Sequence, residues 1–149
     1  MTKQRYVIIF SLVALLFAPW QAARAAAGIF ASGGGTKTAG QNFTVTVTAS
    51  GTTFDSLQGT ISVSGPVTVV SFNPGSATWM PGKSPANGKQ FVGLTSATSS
   101  LVVARITLRG TSPGSGAVSV SGAKLAKSGA IVGEGSGGTS FTITRAPVP

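Results

Sequence analysis

Apolar and polar positions alternate with a period of two along most of this chain, most plainly over residues 101–120. Val102, Ala104, Ile106 and Leu108 share one face, and Val103, Arg105, Thr107 and Arg109 share the other. A half-buried strand has this pattern: one face packs on a core and a basic, hydroxylated face meets water. The Gly- and Pro-rich stretch 110–116 cannot continue it, and Val118 and Val120 then resume the inward phase. Two strands joined by a polar loop are predicted.

The same alternation recurs elsewhere. Phe43, Val45, Val47 and Ala49 point inward between Thr44, Thr46 and Thr48, and after a break at 51–56 Leu57, Gly59, Ile61 and Val63 restart it. Residues 67–72 form another strand whose inward phase slips at Val69-Val70, as a β-bulge would make it do. Residues 90–94, the hairpin around Ser128-Gly129 and the segment 139–144, with Phe141 and Ile143 inward, complete the set. A first edge strand is expected over 26–32, followed by a turn at Gly33-Gly34-Gly35-Thr36-Lys37, and residues 76–89 read as a long irregular connection. Periodic segments after Gly28 all have period two. The predicted class is therefore all-β, an eight- to nine-stranded antiparallel β-sandwich.

Residues 1–25 follow a different logic. A basic head (Lys3, Arg5), an uncharged apolar run over 7–18 and small residues at Ala23 and Ala25 make a secretory signal peptide, with cleavage between Ala25 and Ala26 or between Ala27 and Gly28. The predicted organisation is a signal peptide over 1–25, a sandwich domain over 26–144 and a tail over 145–149. The destination is extracellular or the cell envelope, with membrane contact only during export.

Composition narrows the chemistry. A hydrophobic fraction of 42% with 9% charged residues fits a globular core rather than a solvated polyelectrolyte. With no cysteine, an exported domain must rely on sheet packing alone. With no histidine and only Asp55 and Glu134 as acids, general acid–base catalysis lacks material, and neither an enzymatic role nor a metal or cofactor is expected. Export removes Lys3, Arg5 and Arg24, leaving eight basic residues against two acids, a net +6. Lys37, Lys83, Lys89, Lys124, Lys127 and Arg145 are scattered in sequence, unlike the cluster of a nucleic-acid site.

Two binding surfaces suggest themselves. The outward row Arg105, Thr107, Arg109, Ser119 and Ser121 could face a protein partner, or simply water. Trp79 could stack on a sugar of an extracellular polysaccharide, usually alongside other aromatic residues, or else cap one open end of the core, which the absence of tyrosine after residue 25 favours.

The order of motifs resembles bacterial cohesin-type domains. Gly40-Gln41-Asn42-Phe43-Thr44-Val45-Thr46-Val47 is followed by Val69-Val70-Ser71-Phe72-Asn73-Pro74-Gly75, then Leu101-Val102-Val103-Ala104-Arg105-Ile106-Thr107-Leu108-Arg109-Gly110. Gly114-Ser115-Gly116-Ala117-Val118-Ser119-Val120 and Ala123-Lys124-Leu125-Ala126 with Gly129 complete it. The resemblance implies a nine-stranded jelly-roll sandwich, related in shape to family 2 and 3 carbohydrate-binding modules and acting outside the cell as a non-catalytic binding unit. In that family one sheet face recognises a calcium-loaded dockerin, so a dockerin-like or other surface protein is the implied partner.

Overall fold

A computed structural model describes residues 27–149. The proposed cleavage point between Ala25 and Ala26, like the rest of the leader, lies outside the described residues. Among the described residues there is no helix. The strands are β1 (Gly28–Ser32), β2 (Gly35–Thr38), β3 (Asn42–Ser64), β4 (Val67–Pro74), β5 (Thr78–Trp79), β6 (Gln90–Gly110), β7 (Gly114–Lys127), β8 (Ala130–Gly133), β9 (Gly135–Gly137) and β10 (Thr139–Thr144).

Two long strands make the sandwich. The first half of β3, residues 42–50, pairs with β1 and with residues 100–109 of β6, while residues 56–64 pair with β7. Residues 90–94 of β6 pair with residues 56–60 of β3 on the side away from β7. Each long strand thus bends from one layer into the other, at 51–55 in β3 and at 95–99 in β6. The first sheet runs β9-β1-β3-β6-β4, and the second runs β2-β10-β7-β3-β6-β5 with β8 beside the end of β7.

Between the layers lie the inward residues of both. Val45, Val47, Ile106, Leu108, Phe91, Val118, Leu125 and Ile143 are all buried. At about 25 cal/mol per Å² of apolar surface removed from water, each large side chain contributes roughly 1.5–3 kcal/mol. In a chain without cysteine this packing carries the stability.

The all-β sandwich is as expected, but its details differ in four places. The strand expected to begin the domain at an edge is not at one: β1 (Gly28–Ser32) sits between β3 and β9, with Ile29 fully buried. The glycine run is only partly a turn. Gly33 and Gly34 carry the chain from the first sheet to the second, and Gly35 opens β2, which pairs parallel with β10. A Cβ at Gly34 would overlap the carbonyl oxygen of Ser140, so the crossing needs glycine. The sheets are accordingly mixed, because β1–β9 and β2–β10 are parallel pairs, and the described residues form ten strands. Finally, Val103 rather than Val102 points inward. Val47 and Thr48 pair with Ala104 and Val102, so Val103 is the extra residue of a bulge and is fully buried.

The bulge expected at Val69-Val70 is present, with Val69 and Ser71 pairing with adjacent residues of β6 and Val70 left out and exposed. Phe54, in the segment expected only to break the pattern, is fully buried at the bend of β3.

Candidate protein-binding surface

The outer face of the second sheet carries a row of residues in register across five strands. Thr78 pairs with Leu94, Leu94 with Ser56, Ser56 with Ala126, and Ala126 with Ile131. Beside it runs a second row, Val92, Gln58 and Lys124. Leu94 is 53% exposed and Ile131 55% exposed, large apolar side chains left in water with no core to cover them. Together these strands form an open groove of about 390 Å³ lined by Ser56, Leu57, Gln58, Val92, Lys124, Ala126 and Ile131.

The groove's far wall is positioned by a tight hairpin. Ser128 (φ 50°) and Gly129 (φ 83°) both adopt positive φ, the two-residue turn whose twist suits antiparallel strands, and it folds β8 against β7. A carboxylate oxygen of Asp55 accepts the Ser128 N–H at 3.0 Å. One of the chain's two acids is thereby committed to holding the hairpin on the bend of β3. Lys124 stands within the groove and gives this face a positive charge.

The five residues expected to form one face do not. Arg105, Thr107 and Arg109 belong to the first sheet, between β3 and β4. Ser119 and Ser121 belong to the second, opposite Ser62 and Thr60. The inward neighbours of both sets meet in the same core, so the outward sets face opposite directions. Ser119 and Ser121 share the outer face of the groove, and the arginines lie on the other side of the molecule.

Trp79 is half-buried. Its ring meets Phe91 edge-on, with centroids 5.9 Å apart and planes at 82°, and its indole N–H donates to the Gly75 carbonyl at 3.1 Å. A sugar platform needs a ring lying flat and open; this one packs against the core at Phe91 and Gly93.

Leu94 and Ile131 escaped the sequence reading. The signal was present in 90–94, where Phe91 occupies the inward phase while Val92 and Leu94 fill the outward phase with bulky apolar residues that a solvated face does not need.

No protein-family model and no curated protein sequence matches the chain. Solved structures do. A cohesin module of a family 33 glycoside hydrolase from Clostridium perfringens aligns with a TM-score of 0.62 at 10% identity, covering 82% of this chain and 100% of that one. The third ScaB cohesin of R. flavefaciens, solved in complex with a group 1 dockerin, aligns with a TM-score of 0.54 at 16% identity, covering 83% of this chain and 99% of that one. The chain has the cohesin fold. At these identities the likeness is one of backbone architecture, and the cohesin-type resemblance of the motif order is matched at that level.

Proposed function

We propose that this chain is an exported, non-catalytic binding module that captures a protein partner of dockerin type on the outer face of its second sheet. The observation that carries this is the register row containing Leu94 and Ile131, two bulky apolar side chains held in water on a scaffold that has no other use for them there. Apolar anchors of this kind, beside Ser56, Gln58 and Lys124, have the composition of an interface centre with a polar rim. Lys124 in the groove favours an acidic group at the contacting surface of the partner. A cohesin of the same fold engaged with a dockerin supports a partner of that type. Scarcity of acids and lack of histidine support binding over catalysis, and the basic head and apolar run of the first 25 residues support a place outside the cell.

The test is affinity capture from the secreted and envelope fractions of the source cell, identification of the captured protein, and calorimetric titration of that protein after purification. Leu94→Asp with Ile131→Asp is expected to weaken its binding by about 100-fold or more, the scale of losing hot-spot contacts. Unchanged affinity in that double variant, with an unchanged urea midpoint, would remove the groove from the account.

A further inference from the structure

The outer face of the first sheet is a different surface, and its pattern is regular. Arg105 has Thr46 on one side and Asn73 on the other, with Ser32 beyond Thr46. Thr107 lies between Thr44 and Ser71. Arg109 lies between Asn42 and Thr68. Two exposed arginines therefore stand about 13 Å apart at Cα along one strand, with Thr107 between them and neutral hydrogen-bonding side chains paired with them on both neighbouring strands, interrupted on β4 by the exposed bulge residue Val70. Neither acid of the chain is a neighbour. Asp55 is held at the Ser128 turn, and Glu134 precedes β9, with β1 and β3 between that strand and β6.

We propose that this face is a second binding surface, independent of the groove, for a linear acidic polysaccharide. Charge complementarity calls for an anionic ligand, and the hydroxyl and amide side chains beside the arginines select its kind. DNA offers charged phosphates along its backbone but no hydroxyls between them for Thr44, Thr107 and Ser71 to meet. The central rows of the face also offer no aromatic ring for base stacking; Phe30, at its margin, is half-buried against Gly137. A polysaccharide carrying carboxylates at intervals, with hydroxyls between, matches the alternation of guanidinium and hydroxyl rows. Each arginine takes a carboxylate through a forked, charge-assisted pair of hydrogen bonds, and Thr44, Thr107 and Ser71 meet the intervening sugar hydroxyls.

Affinity electrophoresis of the native protein tests this, with gels containing polygalacturonate, neutral dextran or single-stranded DNA. Polygalacturonate is expected to retard the wild-type chain, dextran not to, and DNA to do so more weakly at equal charge concentration. Arg105→Gln with Arg109→Gln is expected to weaken the polygalacturonate effect about tenfold or more. Lys83→Gln with Lys89→Gln removes the same charge from elsewhere and is expected to change it less than about twofold. Equal losses in the two double variants would reduce the effect to net charge and overturn the proposal, as would equal retardation by dextran or stronger retardation by DNA. Partner capture through the groove is expected to survive the arginine substitutions, so failure of one surface is read separately from failure of the other.

Discussion

The indole of Trp79 lies across Gly93, so closely that a Cβ built on Gly93 would stand 2.6 Å from Trp79 Cε3. The pair joins β5 to β6 in register and closes one end of the core over Phe91. Gly93→Ala must push the ring off Phe91 or distort β6, an overpacking whose cost is about 1–3 kcal/mol. Urea unfolding monitored by tryptophan fluorescence is expected to show that loss, and a midpoint equal to wild type would show that the ring is free to move.

Phe54 anchors the bend at which β3 changes sheets, and it is fully buried. Phe54→Ala is expected to destabilise the domain by about 3–5 kcal/mol. Val70→Ala, at the exposed bulge of β4, is expected to stay within about 0.5 kcal/mol. Paired urea midpoints check both. Similar losses at the two sites would contradict the placement of the bend.

The carbonyl of Ala27 accepts the Gly135 N–H at 3.0 Å, and Ala27 packs against the core's margin. Cleavage after Ala25 keeps that contact, whereas cleavage after Ala27 strips it from β9. The exported protein is therefore expected to begin at Ala26. A chain starting at Gly28 should be less stable than one starting at Ala26 by about 0.5–1.5 kcal/mol, the net contribution of one such hydrogen bond. N-terminal sequencing of exported material and thermal unfolding of the two versions check this together; a native start at Met1 would remove the leader from the account.

Much of this architecture was legible because burial imposes a period of two wherever a strand has one wet face. Asn42 through Ala49 shows it without interruption, and the slip at Val69-Val70 located a bulge that the pairing of Val69 and Ser71 with β6 displays. The bulge at Val103 was hidden, since Val102 and Val103 are the same residue type and either could be the inward one. Phe54 was hidden because a bend between sheets has no alternation to extend. The split of Arg105 from Ser119 was beyond reach for another reason. Sheet membership depends on which distant strands pair, and each strand of the 101–120 unit alternates correctly whether its neighbour is in the same layer or the opposite one.

The central claim is that the groove across β6, β3, β7 and β8 is the face that captures a protein. Amide chemical-shift mapping of the isotope-labelled domain, titrated with the purified partner, tests it most directly. The largest changes are expected at Ser56, Gln58, Val92, Leu94, Lys124 and Ile131, with Thr44, Arg105 and Arg109 unmoved. Changes centred on the arginine face, with the groove residues silent, would contradict it.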